Sequence, residues 1–380
     1  MSGPDSRGES ERGPLGEGAG SLNGAEPGLI VVGFGGVVQK VHAPLLRGGV
    51  GLTVVAVVEP HAPNADAARD AFPDAEVVSS LPAAYEAVPD AEAALIAAPP
   101  AKHADLTLEA AALGLHTYTE KPLAVEAHEL AALRDLAGRA ERFHAVGFNY
   151  RFHPNVAELR GLLGRGDLGT PRVAQTLFCS PAGKQQAAWK QQRRAGGGVV
   201  LDLLSHHLDL LTHLFGEPGA VSADTASIHT EEDTAAVRLR WPSGLIAQSG
   251  VALHASEVDR VTVVGDAGTF SHDRFHAGRT SLEPVRRRYG LASRARATRR
   301  MVRQSVARGR EILRPRREPS HRLALRAFAD AVRGRPAPTL ATLADGLLNS
   351  ELLLAADRSA DAGGRWEPVA APAEASPHAA

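Results

Sequence analysis

Asp202 and His206 stand four residues apart in the stretch Gly196-Gly-Gly-Val-Val-Leu-Asp-Leu-Leu-Ser-His-His. On a helix, side chains at that spacing lie one above the other and reach the same small molecule. A carboxylate beside an imidazole is proton-transfer equipment, because histidine titrates near neutral pH and a neighbouring acid holds its tautomer. Lys121 is a third candidate, in Thr119-Glu120-Lys121-Pro122 directly after the strand read at His116-Thr-Tyr118. An ammonium placed there can bond a substrate hydroxyl and stabilise a developing alkoxide. Arg151, Trp189 and His207 are further candidates for substrate contact, and His153 lies beside Arg151. Asp209 and His213 continue the polar helix face, yet at about 1.5 Å rise per residue only its upper half reaches one ligand. They are therefore read as structural, and a metal site built from all four is set aside.

A second chemistry sits near the start. In Val31-Val-Gly33-Phe-Gly35-Gly-Val-Val38, two glycines fall between an apolar run and a helical pattern. Gly33 permits a tight turn, and Gly35 lets a pyrophosphate approach backbone N–H groups at a helix start. Val38 stands where the third glycine of the dinucleotide fingerprint would be. Glu59 follows the second apolar run, 26 residues after Gly33. An acid there accepts hydrogen bonds from both ribose hydroxyls and repels a 2′-phosphate, which favours NAD over NADP. Phe34, Val37, Val38, Ala98, Pro99, His103 and Glu120 complete the expected cofactor pocket alongside Gly33, Gly35, Glu59 and Lys121.

The elements that must position these residues are legible as patterns. Apolar or β-branched runs at 29–33, 52–58, 77–78, 93–98, 116–118 and 144–147 read as strands. Helical patterns at 38–46, 65–72, 81–88, 104–113 and 127–140 separate them. Strands alternating with helices imply an α/β, doubly wound, mostly parallel sheet. After about residue 148 the pattern changes to a helix at 155–163, a strand at 172–178 and the glycine-led helix. Strands at 234–241, 245–253, 260–264 and 268–271 follow, joined by Pro242-Ser-Gly244 and Gly265-Asp-Ala-Gly268. Tight turns between consecutive strands predict an antiparallel sheet. Helices at 321–333 and 343–360 close the folded region.

Bulk properties set the frame. At 380 residues the chain has the length of two domains. It carries no run of about 18 apolar residues, so no membrane contact is expected. The first 27 residues are rich in Gly, Ser and Glu and do not read as a signal peptide. One cysteine, Cys179, excludes an internal disulfide, and a cytoplasmic location is expected. Between Arg286 and Arg317 lie thirteen arginines and one acid, a surplus of twelve positive charges; the whole chain is −1, so the remainder is −13. That segment is read as an exposed insertion docking on the acidic remainder, with no nucleic acid expected as partner.

The ordered set resembles the glucose–fructose oxidoreductase / inositol dehydrogenase / rhizopine-catabolism (Gfo/Idh/MocA) family of nicotinamide-dependent sugar and polyol oxidoreductases. The matching residues are Gly33-Phe-Gly35 with His42-Ala-Pro44, Ala98-Pro-Pro100 with His103, Glu120-Lys-Pro122, Gly147-Phe-Asn-Tyr-Arg151, Gly166-Asp-Leu-Gly169, and Gly196-Gly-Gly198 with Asp202 and His206. Phe328, Gly334, Pro336, Asp345 and Gly346 extend the match.

The resemblance implies an N-terminal Rossmann domain over 29–148 and a C-terminal α+β domain over 149–368 with an open, largely antiparallel sheet. It implies a homodimer or homotetramer formed through the C-terminal sheet; composition reads 1–28 and 369–380 as disordered tails, and the arginine-rich insertion at 286–318 departs from a compact family member. Lys121 would polarise the reacting hydroxyl or carbonyl, His206 would act as general acid and base, and Asp202 would bind substrate and orient the imidazole. The function so implied is hydride transfer between NAD and a secondary hydroxyl or ketone of a sugar, cyclitol or related intermediate. Two alternatives stay open at this point: transient oxidation serving a non-redox step such as epimerisation or glycosidic cleavage, and a dinucleotide-binding regulator without catalysis.

Overall fold

The computed structural model describes residues 26–139, 141–181, 197–274, 281–284 and 319–369. Trp189, Lys190, Gly196, the arginine-rich segment and most of both tails lie outside the described residues.

The chain begins with β1 (Gly28–Val32), whose last four residues are buried. Such a continuous apolar run suits a strand covered on both faces. A π-helical turn at Val38–His42 leads into α1 (Ala43–Arg47). There follow β2 (Thr53–Val58), α2 (Ala62–Ala71), β3 (Glu76–Val78), α3 (Leu81–Ala87), β4 (Ala93–Ile96), α4 (His103–Ala112), β5 (His116–Thr119), α5 (Glu129–Arg139) and β6 (His144–Val146). The strands pair in parallel in the order β6-β5-β4-β1-β2-β3. The order reverses between β1 and β4, and ligands of such sheets bind outside the carboxyl ends of the strands at that point.

The chain then runs through α6 (Pro154–Gly164), β7 (Pro171–Cys179), a π-helical turn at Val200–Leu204 and α7 (Ser205–Phe215). Strands β8 (Ala220–Ala226), β9 (Thr234–Arg240), β10 (Ile246–Ala252), β11 (Val258–Gly265), β12 (Gly268–Asp273) and β13 (Ser281–Pro284) come next. The chain closes with α8 (Ser320–Val332), β14 (Ala341–Thr342), α9 (Leu343–Asp361) and β15 (Glu367–Pro368). The second sheet has the order β13-β12-β11-β7-β10-β9-β8-β15. Its strands are antiparallel except β7 and β10, which run parallel. The two tight turns of the sequence reading join β9 to β10 and β11 to β12. Leu159, Leu208, Leu211, Leu352 and Leu353 from α6, α7 and α9 pack on one face of this sheet.

Three features depart from the sequence pattern. Strands β8, β13, β14 and β15 were not legible, because β8 is small and polar in its residues, the others are brief, and each is completed by a partner strand. Residues 320–342 pack on the first sheet: Leu325 and Phe328 of α8 enter its core, and β14 adds antiparallel to β6. The division at 148/149 is thus crossed by the chain's return. Finally, the glycine-led helix is not α-helical throughout, since its first turns are wider π turns around Asp202.

Candidate active site

Gly33 takes φ +90, a conformation that glycine adopts without strain. A Cβ there would lie 2.8 Å from the Ala97 carbonyl oxygen, so the ends of β1 and β4 come together only because position 33 is glycine. A Cβ built at Gly35 or Gly36 would meet nothing within 4 Å. The backbone at the helix start is therefore accessible to a bulky anion, as a pyrophosphate cradle requires. Phe34 turns its ring into the core, edge-on to Phe72, and offers only its backbone to the crevice. Val38 is buried where the fingerprint's third glycine would allow close helix packing, and the helix there is a widened π turn. Val37 is exposed at the mouth.

Glu59, following β2, binds this turn. Its Oε2 accepts from the Phe34 amide at 2.8 Å and its Oε1 from the His61 amide at 2.9 Å. Oε2 also accepts from Asn64 Nδ2 at 3.4 Å; each carboxylate oxygen has about two acceptor positions, so Oε1 can still receive a ribose hydroxyl. These residues fit a dinucleotide that lacks a 2′-phosphate.

Beyond β4, His103 places its ring nitrogens 2.7 Å from the Pro122 carbonyl and 2.8 Å from that of Ala98. Burial pushes its pKa down. It ties the Ala98-Pro99 loop to the Lys121-Pro122 peptide, which is cis. Glu120 is buried against His42, with Nε2 to Oε1 at 2.8 Å. Burial would raise the Glu120 pKa, but the bond and charge of His42, then the charges of His321 and Lys121, outweigh it and hold the carboxyl at about 2. Gly147 backs this carboxylate so closely that a Cβ would sit 3.2 Å from it.

Lys121 leaves the carboxyl edge of β5 and reaches the second domain. Its Nζ donates to the Asp202 carbonyl at 2.7 Å and lies 3.1 Å from Asp202 Oδ1. Both side chains are largely buried. His206, one turn on, stacks on Tyr150 with ring centroids 4.4 Å apart and planes 12° apart. Its pKa is held well below the usual histidine value, first by burial, then by the charges of Lys121, Arg274, His207 and His321. The imidazole is therefore neutral at pH 7 and able to accept a proton.

Lys121, Asp202 and His206 thus converge at the cleft between the sheets. The other substrate candidates go elsewhere. Arg151 is buried and gives Nε to both Asp209 oxygens, at 3.0 and 2.9 Å, and Nη2 to Asp345 at 3.1 Å. Its guanidinium joins the end of β6 to α7 and α9. His207 is fully buried, its Nε2 standing 3.6 Å from Asp259 Oδ1, too long for a hydrogen bond. Trp189 lies outside the described residues. His213 lies 3.4 Å from an Arg160 Nη1. Among the described residues no cluster of three or more His, Cys, Asp or Glu is arranged to hold a metal ion.

Sequence reasoning missed His42, Tyr150, Asp259 and Arg274 as parts of the site. His42 and Tyr150 both fall inside motifs quoted for the family resemblance, which was the available signal. Asp259 comes from β11 and Arg274 directly follows β12 of the distant sheet, and neither carries a local pattern.

A glycine turn at the carboxyl ends of a parallel sheet, with Lys121 and Asp202 meeting beyond it, suits a nicotinamide-dependent oxidoreductase acting on CH–OH groups, and that is the class of this chain. The family profiles say which one. Residues 28–148 match the oxidoreductase family with NAD-binding Rossmann fold, and residues 156–271 match the GFO/IDH/MocA C-terminal domain. The chain belongs to the GFO/IDH/MocA family.

Among its relatives is the uncharacterized oxidoreductase YdgJ of Escherichia coli, 28% identical over 245 residues, which are 63% of this chain and 69% of that protein. The myo-inositol 2-dehydrogenase of Thermotoga maritima is 28% identical over 196 residues, 49% of this chain and 57% of the relative. Several matched relatives are thus spanned over about half to two thirds of their length. The WlbA dehydrogenase of Bordetella pertussis, solved with NADH and UDP-GlcNAcA, shares the fold with a TM-score of 0.76 at 22% identity, covering 92% of this chain and 100% of that one.

Proposed function

We propose that this protein oxidises a secondary hydroxyl of a sugar or cyclitol, or reduces the matching ketone, with NAD in preference to NADP. The observation that carries the reading is the meeting of Lys121 and Asp202 across the cleft beside a neutral His206. Bound NAD would supply the hydride acceptor. Gly33 would shape the turn, the open backbone at Gly35 and Gly36 would face its pyrophosphate, and Glu59 would hold its ribose.

An ammonium has three N–H donors, and two of those of Lys121 point at Asp202. The third is available to the oxygen of the reacting hydroxyl. As the C–H bond breaks, that oxygen gains negative charge, and the ammonium stabilises it. His206 takes the hydroxyl proton, and in reduction returns it. Asp202 sets the lysine's direction and offers acceptor positions to a neighbouring substrate hydroxyl.

A homo-oligomer through the second sheet is part of the same proposal. Val264, Val173 and Ile246 lie side by side on β11, β7 and β10 and are all exposed. Such an in-register apolar row suits a self-complementary contact. No described helix is long and apolar enough to cross a membrane; a cytoplasmic location belongs to the proposal as well.

The test is a panel of polyols, cyclitols and sugars offered to the purified full chain with NAD or NADP, followed by absorbance of the reduced nicotinamide. Substrate-dependent reduction of NAD supports the reading. Conversion of substrate without net reduction would replace it by transient oxidation, and cofactor binding without conversion by a regulatory role.

A further inference from the structure

Tyr150 follows β6, at the junction of the two sheets, and its ring lies nearly parallel to that of His206, 4.4 Å away. The ring is itself fixed by groups from the far sheet. Its hydroxyl donates to Asp259 Oδ2 at 3.0 Å, and Asp259 is buried on β11. Arg274, directly after β12, lies over the same ring with its guanidinium carbon 4.2 Å from the centroid. It also donates from Nε to Asp259 Oδ2 at 2.7 Å and from Nη2 to the Tyr150 hydroxyl. Three elements far apart in sequence thus meet to hold one phenol ring in one place.

Nothing else among the described contacts holds the imidazole as firmly. His206 Nδ1 is buried with no hydrogen-bond partner. Asp202, expected to orient the ring, accepts from Lys121 at Oδ1. The wide π turn between Asp202 and Leu204 separates it from the α-helical spacing that would stack the two side chains.

We propose that Tyr150 and Arg274 are positioning residues for His206: the tyrosine ring fixes the plane of the imidazole, and the arginine, bonded to Asp259 and the tyrosine hydroxyl, holds that ring in place. The proposal rests on the reading of His206 as the proton-handling group. On the charge of the imidazole the two residues act in opposite directions. An aromatic face attracts a cation, so the ring eases the charged form as it arises. The guanidinium opposes that form. Charged and titratable groups face His206 from every neighbouring element: Lys121 after β5, Asp202 and His207 on its own helix, Arg274 after β12, His321 on α8, and Asp259 on β11 through Tyr150. Lys121 and Arg274 are the cations among them, and Arg274 is the one tied to the ring that stacks on the imidazole.

The test is NMR of the full chain labelled with 13C-histidine, the His206 signal being assigned by its loss in His206→Gln. It reads the imidazole without any turnover, so it stands apart from the substrate screen. In Arg274→Met the His206 titration midpoint should rise by roughly half a pH unit or more. In Tyr150→Leu the His206 resonance should shift and broaden as the stacked ring is lost, whereas Tyr150→Phe, which keeps the ring, should leave its chemical shift near the native position. Where a substrate is found, Tyr150→Leu should lower kcat about tenfold with the KM for NAD unchanged, and Tyr150→Phe should restore most of it. Arg274→Met and Tyr150→Phe keep the proposal testable if the leucine variant does not fold. A His206 signal with native midpoint and native shift in both Arg274→Met and Tyr150→Leu would overturn the proposal.

Discussion

Lys121 and Asp202 meet across the cleft, the ammonium 2.7 Å from the carbonyl and 3.1 Å from the carboxylate of the same residue. A side chain of the first sheet is thereby tied to the π turn that precedes α7. Lys121→Met keeps the stem and removes the charge. It should lower turnover on the order of a hundredfold to ten-thousandfold while NAD binding, followed by tryptophan fluorescence or calorimetry, changes little. Turnover equal to the native protein would remove lysine from the chemistry.

Glu59 links the glycine turn to the ribose position, accepting from the Phe34 and His61 amides. Its charge, rather than its bulk, is what a 2′-phosphate would meet. Glu59→Gln keeps an acceptor but removes the repulsion, so the ratio of Kd for NADP to that for NAD should fall by about tenfold or more. Calorimetric titration with both dinucleotides measures it. A native protein that binds NADP the more tightly contradicts the assignment.

The alternation of strands and helices, and the glycines at the first turn, were legible because each depends on local pattern. The convergence of Lys121, Asp202 and His206 was legible from their order along the chain. What was not legible depends on residues brought together late. Arg151 looked like a substrate contact because it sits at the domain junction, but Asp209 and Asp345, 58 and 194 positions further on, take up its charge. The Tyr150 stack likewise needs Asp259 and Arg274 from the second sheet. The π turns escaped because periodicity over five residues does not separate them from α-helix.

Arg151 itself gives a stability prediction. It is 4% exposed, and its pKa is raised because the pull of Asp209 and Asp345 outweighs the burial that would lower it. Removing one partner of a buried pair strands the other charges. Arg151→Ala should cost about 3–5 kcal/mol in urea unfolding, more than Arg69→Ala, which breaks an exposed pair with Asp66. Arg151→Met with Asp209→Leu should recover part of the loss, since two apolar groups leave no charge unpaired. Equal midpoints for the two alanine variants would show that the buried pair does not hold the junction.

Acid should unfold this protein through its histidines. His116, His144, His213 and His272 are each lowered to about 4, first by burial. Three of them also serve as acceptors: the Phe143 amide donates to His116 Nδ1 at 3.0 Å, Asn155 Nδ2 to His272 Nε2 at 2.6 Å, and Arg160 stands 3.4 Å from His213 Nε2 with only N–H groups to offer. A protonated ring cannot accept. In the unfolded chain these groups gain protons near their ordinary 6.5, so between pH 6.5 and 4 the unfolded state binds more protons and stability falls as pH falls. Asp209 works the other way, since burial raises it to about 6 against the pull of Arg151 and it takes up a proton in the folded state first. With His103 and His206 also lowered, six histidines stand against Asp209 and the raised Glu217, which leaves a net loss in acid. The urea midpoint should therefore decline steadily from pH 7 to pH 4, and the double variant His116→Gln/His213→Gln, which keeps an acceptor at both places, should show a shallower decline. A midpoint independent of pH over that range would contradict the placement of these rings.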